Sequence, residues 1–259
     1  MENNNVLLEV AQQAAFEAGK AIMQIYSSED FGEEVKADHS PVTRADKAAH
    51  EVIIQMLADT GLPILSEEGS DIPFSERAAW QRFWLVDPLD GTKEFIKRNG
   101  EFTVNIALIE NGKPVMGVIY SPCLELMYAG LPETGIIKIE KNRQTIIPPK
   151  PQYTNFEALL EKDSVTVVAS RSHSSEETAL FIKQFKNVKE GLSGSSLKFM
   201  ALVEGKADIY PRLSPTMEWD TAAAHAILNI ANIGVYQTDL QSQLSYNKPL
   251  LTNPFFVAF

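Results

Sequence analysis

Three short acidic motifs contain the residue types that could bind a divalent cation. They are Ser66-Glu67-Glu68-Gly69, Asp87-Pro88-Leu89-Asp90-Gly91-Thr92 and Trp219-Asp220-Thr221-Ala222. The first two follow short apolar runs that are typical of strands, and the third opens an alanine-rich helix. Hard cations such as Mg²⁺ prefer oxygen ligands. Carboxylates from these three places, with the Leu89 carbonyl, could therefore form one cage.

The central motif has a backbone suited to bringing two carboxylates to one point. Pro88 fixes its own φ and favours an extended conformation at Asp87. Gly91 then permits a tight turn directly after Asp90. Joined by the carboxylates of the other two motifs, this cluster is too anionic to stay fully ionised without cations. Two metal ions that bridge a phosphate would balance the charge and supply catalysis.

Each motif by itself also has a simpler interpretation. Asp220 could only cap its helix, a frequent role of aspartate, and a capping aspartate can still bind a metal. Glu67 and Glu68 could be a solvated strand end, and the sequence from Asp87 to Gly91 could be a plain turn. The presence of all three in one chain favours a shared site. The sequence contains neither a P-loop nor a GxGxxG motif, so nucleotide hydrolysis by that route has no support.

The elements that must position these motifs follow from hydrophobic periodicity. Helical spacing predicts a first helix over Val6–Tyr26 and a second over Ala45–Leu57, which Gly61 ends. A polar loop, residues 36–46, lies between them. Beyond Gly61 the period changes, and Asn111-Gly112 marks a β-hairpin. The predicted strands are Pro63–Ser66, Phe83–Val86, Phe102–Ile109, Val115–Tyr120, Leu126–Ala129, Gly135–Ile139, Val165–Ala169 and Ala207–Tyr210.

A proline-rich segment, Ile147–Tyr153, is the best candidate linker between two halves. It separates an N-terminal α+β half (1–150) from a C-terminal α/β half (151–259), which we expect to form one compact catalytic unit. Helices are predicted near Glu176–Phe185, near Ser195–Glu204 and after Asp220. Interleaved helices and strands with a hairpin indicate layered α+β architecture rather than a doubly wound sheet.

The composition excludes several classes of protein. The chain has 259 residues, 34 of them acidic and 23 basic, so its net charge is −11. That charge argues against binding of nucleic acid polymers. No apolar run is long enough to span a membrane, and no signal peptide is visible. The single cysteine, Cys123, excludes an internal disulfide framework and fits a cytoplasmic protein.

The three acidic motifs, in this order and at this spacing, resemble those of the lithium-inhibited, Mg²⁺-dependent phosphatases of the inositol monophosphatase superfamily. Four segments, 91–109, 170–173, 194–199 and 210–212, resemble the bacterial 3′(2′),5′-bisphosphate nucleotidase branch. The resemblance implies the layered αβαβα sugar-phosphatase fold. It also implies hydrolysis of the 3′-phosphate of adenosine 3′,5′-bisphosphate to AMP and phosphate, with a role in sulfate assimilation.

The resemblance assigns the ligands of two or more Mg²⁺ ions, whose action Li⁺ would inhibit. Glu67, Asp87 and the carbonyl of Leu89 would hold the first ion. Asp87, Asp90 and Asp220 would hold the second, with Asp87 bridging.

The same resemblance implies catalytic and substrate-binding roles. Asp46 and Thr92 would orient and deprotonate the attacking water, which would bring the 36–46 loop to the cleft. Without the family match, Asp46 would simply begin the second helix. Glu68 would order water from outside the cage. The residues implied to contact substrate are Glu67, Leu89, Asp90, Gly91, Thr92, Ser170, His173, Gly194, Lys198 and Asp220.

Several alternatives remain open at this point. His173 could be a surface histidine, and Lys198 a solvated lysine on its helix. An inositol or sugar phosphatase would share the metal cage without the nucleotide contacts. A non-catalytic sensor would bind ligand without turning it over. Activity on 3′-phosphoadenylyl sulfate, the oligomeric state and peripheral attachment to the cytoplasmic face of the inner membrane are undecided.

Overall fold

The computed structural model describes residues 3–28, 31–35, 41–151, 155–169, 176–192 and 194–259. Within these ranges the helices are α1 (Asn4–Tyr26), α2 (Arg44–Ala58), α3 (Phe74–Arg77), α4 (Thr92–Ile96), α5 (Phe156–Glu161), α6 (Glu176–Ile182), α7 (Leu197–Val203) and α8 (Glu218–Ile230). The strands are β1 (Glu34–Val35), β2 (Pro41–Val42), β3 (Ile64–Ser66), β4 (Arg82–Asp90), β5 (Thr103–Glu110), β6 (Lys113–Ser121), β7 (Leu126–Leu131), β8 (Gly135–Glu140), β9 (Arg143–Ile147), β10 (Val165–Ala169), β11 (Val188–Leu192), β12 (Tyr210–Arg212), β13 (Val235–Gln237) and β14 (Phe256–Ala258).

Strands β3 to β9 form a seven-stranded sheet in sequence order. β3 pairs with β4 in parallel, and every later pair is antiparallel. The predicted hairpin is confirmed between β5 and β6. Its two turn residues, Asn111 (φ 49°) and Gly112 (φ 74°), both have positive φ, as a tight turn that matches the twist of the strands requires.

The two predicted N-terminal helices are confirmed, and they cover one face of this sheet. The side chain of Asn3 caps α1 by accepting a hydrogen bond from the Asn5 N–H at 3.0 Å. Small buried residues such as Ala14 and Ala18 let α1 lie close to α2 and the sheet. Gly19 is required there, since a Cβ atom would lie 2.4 Å from the ring of Tyr120.

Helices α7 and α8 cover the opposite face and separate the large sheet from a second one. In the second sheet, β14 lies between β12 and β13. A bridge between Val167 and Ile209 joins it to the parallel pair β10–β11. Along β14, Phe256 packs towards α7 and α8, whereas Val257 packs towards α5 and α6. Neighbouring residues of a strand point to opposite faces, so the layers run α, β, α, β, α. The layered fold is confirmed.

Other expectations differ from the structure in detail. β9 and β11 were not predicted; β9 is an exposed edge strand, where no buried face imposes an alternation on the sequence. The predicted strand Ala207–Tyr210 lies later, at Tyr210–Arg212, and the helix predicted near Ser195 begins at Leu197. The proline-rich segment follows β9, and its residues 152–154 lie outside the described ranges. In the part of the chain that is described, no helix has the length and apolar character to cross a membrane.

Candidate active site

A bulge in β4 brings two aspartates of the central motif to one cavity. Asp87 lies opposite Asn105 of β5, but Asp90 lies opposite Thr103, so three steps on β4 match two on β5. Bulges of this kind bend a strand and redirect its side chains. Pro88 is tolerated here because a bulge interrupts the ladder of backbone hydrogen bonds. The backbone N–H that follows it, on Leu89, donates to Asp87 Oδ1 at 3.1 Å.

The three acidic motifs meet in a cavity of about 270 Å³. Glu67 enters from the 3₁₀ turn after β3, and Asp220 enters from the first turn of α8. Gly91, with φ 97°, ends β4 and starts α4. The predicted residues that line the cavity are Glu67, Asp87, Leu89, Asp90, Gly91, Thr92, Lys198 and Asp220.

Two carboxylates in this cavity, those of Asp87 and Asp220, have raised pKa values, first because they are buried and next because their neighbours are negatively charged. The pKa of Asp87 is raised well above its usual range by burial, and next by the charges of Glu67 and Asp90. Burial and the charge of Asp90 likewise raise the pKa of Asp220. Each raised pKa means that the cluster holds more negative charge than it can stabilise by itself. A bound cation would relieve that excess.

The donor set fits a hard divalent cation by its chemistry, since it offers four carboxylates and the Leu89 carbonyl. Within the described residues, however, no three His, Cys, Asp or Glu side chains form a ready-made metal-binding group. Some of the oxygens are paired with protein donors instead. Asp220 Oδ2 accepts from the Met217 N–H at 2.9 Å, and Asp90 Oδ2 accepts from the hydroxyls of Ser195 and Ser196 at 2.5 and 3.1 Å.

Asp46 and Thr92 lie in direct contact, 46 positions apart in sequence. The Thr92 hydroxyl donates to Asp46 Oδ1 at 3.1 Å. The other carboxylate oxygen accepts from the Thr43 N–H and hydroxyl, both at 2.7 Å, in the capping box of α2. Burial raises the pKa of Asp46, the bonds from Thr43 oppose that change, and the charge of Glu68 adds to it. Asp46 therefore begins the helix and also contacts Thr92, which lines the cavity, while its action on water stays a prediction.

Two cationic side chains line the other side of the cavity. Lys198 is buried on α7, and burial lowers its pKa to about 8 although the charge of Asp90 opposes the change. Its Nζ lies 5.8 Å from the centre of the Tyr210 ring. Arg212 on β12 also lines the cavity, and its buried Nε has no hydrogen-bond partner among the described residues. Lys198 is thus not a solvated helix residue.

Several residues at this site were not among the predicted ligands or substrate contacts. Arg212, Ser195 and Ser196 line the cavity, and Asn105 lies behind Asp90. All four lie in the segments that resemble the family, and this resemblance is the feature of the sequence that could have identified them.

Close packing requires a glycine at position 194. A Cβ atom there would lie 2.7 Å from Glu101 Cβ and 2.8 Å from the Glu101 carbonyl oxygen. The backbone at Gly194 therefore packs directly on the loop before β5, and its substrate contact stays a prediction. Ser170 and His173 lie outside the described residues.

Nearly the whole chain is similar to known proteins of one family. The model of the inositol monophosphatase family matches residues 3–254. The 3′(2′),5′-bisphosphate nucleotidase CysQ of Salmonella typhimurium is 48% identical over 240 residues, 89% of this chain and 90% of that protein. CysQ of Escherichia coli K12 is 45% identical over the same shares. The crystal structure of CysQ from Bacteroides thetaiotaomicron superposes with a TM-score of 0.83 at 45% identity, covering 98% of this chain and 96% of that one.

Proposed function

The chain belongs to the inositol monophosphatase family, and on that premise we propose that it is a 3′(2′),5′-bisphosphate nucleotidase. It hydrolyses the 3′-phosphate of adenosine 3′,5′-bisphosphate to AMP and phosphate with the help of Mg²⁺. Relatives at 45–48% identity carry the name of this activity.

The observation that carries the proposal is the division of charge within one cavity. Glu67, Asp87, Asp90 and Asp220 line it together with the cations Lys198 and Arg212. A nucleotide with two phosphates needs both the carboxylates and the cationic side chains. The carboxylates bind the metal cations that the cleaved phosphate requires, and the positive side chains bind the retained phosphate. In a protein of net charge −11, two buried or half-buried cations in the acidic cavity favour an anionic substrate over a neutral one.

Asp46 and Thr92 act on the attacking water. The Thr92 hydroxyl donates its hydrogen to Asp46, so its lone pairs are free to accept a hydrogen bond from a water in the cavity. The proton lost by that water passes through the hydroxyl to Asp46, whose raised pKa makes it a stronger base than an exposed aspartate. The N–H groups of Gly91 and Thr92, at the start of α4, face the phosphate to be cleaved.

Mg²⁺ ions bound by the four carboxylates and the Leu89 carbonyl would acidify the water and stabilise the charge of the phosphate. Glu68 orders water near Asp46 from outside this group. Residues 1–150 thus supply most of the cage, and residues 151–259 supply Asp220 and the nucleotide contacts. We also propose action on 3′-phosphoadenylyl sulfate and a role in clearing the by-product of sulfate assimilation in the cytoplasm.

The test compares phosphate release from three substrates in parallel, with Mg²⁺ and with or without Li⁺. The substrates are adenosine 3′,5′-bisphosphate, 3′-phosphoadenylyl sulfate and inositol 1-phosphate. We expect a strong preference for the nucleotides, and loss of activity in Li⁺. A preference for inositol 1-phosphate would refute the nucleotide assignment while keeping the metal cage. No release from any of them would refute the proposed nucleotidase activity and would favour another phosphate ester as substrate, or a non-catalytic sensor.

A further inference from the structure

Two buried polar residues on β5 face the aspartates of β4 across the bulge. Asn105 lies opposite Asp87 and Thr103 lies opposite Asp90, and both β5 side chains are almost completely buried. Residues two apart on a strand point to the same face, so both point towards the site. The rest of the strand is nearly all apolar. Buried polar groups cost free energy unless they are hydrogen-bonded, so their partners decide their role.

Asn105 connects Asp90 to the turn before α7. Its amide nitrogen donates to Ser196 Oγ at 3.0 Å and approaches Asp90 Oδ2 at 3.4 Å. Its amide oxygen accepts from the Thr103 hydroxyl at 2.9 Å. An ionised carboxylate can only accept hydrogen bonds, so the amide nitrogen is the end that must face Asp90. The orientation of the Asn105 amide is thereby defined at both ends.

Thr103 completes the connection through the neighbouring serine. Its hydroxyl has one hydrogen and two acceptors within reach, Asn105 Oδ1 and Ser195 Oγ, the latter at 2.5 Å. Ser195 Oγ donates its own hydrogen to Asp90 Oδ2 at 2.5 Å. Ser196 Oγ is a second donor to the same carboxylate oxygen, at 3.1 Å. Ser195 has a positive φ of 49°, a conformation that costs free energy in a residue other than glycine. These hydrogen bonds hold the turn in a shape that its own backbone does not favour.

We propose that Thr103 and Asn105 are positioning residues that orient the Asp90 carboxylate and bind it to the Ser195–Ser196 turn. The cation-binding end and the nucleotide-binding end of the cavity are then assembled as one hydrogen-bonded unit. The turn leads directly into α7, which carries Lys198, so a change beneath Asp90 is transmitted to Lys198 as well. The nucleotide part of this inference rests on the proposed function, whereas the cation part does not.

The test measures Mg²⁺ binding to the metal-free protein by calorimetry, alongside kcat and KM for adenosine 3′,5′-bisphosphate. Two near-isosteric variants, Asn105→Leu and Thr103→Val, remove the hydrogen bonds and keep the volume. Loss of a residue that orients a metal ligand typically weakens metal affinity by about 10- to 100-fold. We expect a loss of this size for Asn105→Leu, together with an increased KM, and a smaller loss for Thr103→Val. Thr103→Ser keeps the hydroxyl and should restore both values.

Val104→Ala is the matched control, because Val104 lies between the two residues and packs in the core on the opposite face of the sheet. It should lower the melting temperature and leave Mg²⁺ affinity unchanged. Equal Mg²⁺ affinity in wild type, Asn105→Leu and Thr103→Val would overturn the proposal. So would a loss in Val104→Ala as large as in the other two. If Asn105→Leu fails to fold, Thr103→Val and Thr103→Ser still decide the question. A wild-type protein that binds Mg²⁺ but does not hydrolyse the nucleotide would refute the proposed function alone.

Discussion

Replacing Gly194 by alanine is expected to disturb the site without removing any side chain from it. The added Cβ atom would lie 2.7 Å from Glu101 Cβ, whereas ordinary contacts begin at 3.4 Å. The two segments must therefore separate by about 0.7 Å, the difference between these distances. The Glu101 carbonyl oxygen, 2.8 Å from the added atom, belongs to the backbone and cannot rotate away.

The consequence for Asp90 can be worked out from the neighbouring serines. Ser196 Oγ lies 3.1 Å from Asp90 Oδ2, so a displacement of that size away from Asp90 breaks this hydrogen bond. Misplacement of catalytic groups by about 1 Å can cost about 100-fold in rate. We expect kcat/KM for the bisphosphate to fall by about 10- to 100-fold. Overpacking of this kind also costs about 1–3 kcal/mol of folding stability.

The control is Gly205→Ala. Gly205 has φ +69°, and among the described residues no atom beyond its two chain neighbours lies within 4 Å of an added Cβ. Alanine there therefore strains the backbone by about 1–2 kcal/mol without a steric clash. Both variants should melt a few degrees below wild type by calorimetry. Only Gly194→Ala should lose activity, measured as phosphate release over a range of substrate concentrations. Normal kinetic constants in a folded Gly194→Ala protein would refute the argument that this turn positions Asp90.

Three further predictions concern charges in the cavity. Asp90→Asn removes one negative charge from the proposed cation site, and we expect phosphate release to fall by more than about 100-fold with the melting temperature little changed; near-normal activity at saturating Mg²⁺ would refute the assignment. The pKa values of Asp87 and Asp220 are raised in the folded protein, so their contribution to stability is complete below the ordinary carboxyl pKa and is lost as the pH rises through the raised values. In EDTA the melting temperature should thus decrease as the pH is raised from about 5 to about 7.5, and added Mg²⁺ should restore it. Asp87→Asn should reduce the slope of melting temperature against pH, and an unchanged slope in this variant would contradict the charge argument. Lys198→Ala should raise KM for the bisphosphate more than for a simple phosphate monoester, and equal effects on both would exclude Lys198 from nucleotide binding.

Local sequence determined much of this protein. The helical periods of α1 and α2, the hairpin at Asn111-Gly112 and the apolar strands that precede Glu67 and Asp87 were predictable, because each depends on side chains within a few positions. The predicted strand Phe83–Val86 continues to Asp90 in the structure, because pairing with β5 extends through the bulge. The resemblance of the three acidic motifs supplied the fold and the site residues together. The edge strand β9 was missed because its exposed side chains follow no hydrophobic alternation. The division at residue 150, like the roles of the site residues, stays a prediction.

Only the tertiary structure decided which residues support the site. The bulge that turns Asp90 towards Asp220 depends on the register between β4 and β5, and no local pattern specifies a register. The burial of Lys198 and the contact between Thr92 and Asp46 depend on elements far apart in sequence. The role of Asn105 also depends on distant residues, because one of its hydrogen-bond partners, Ser196, comes from a turn about ninety positions later. Interactions between residues close in sequence thus determined the helices and strands, whereas packing between residues far apart in sequence determined the distances between their side chains.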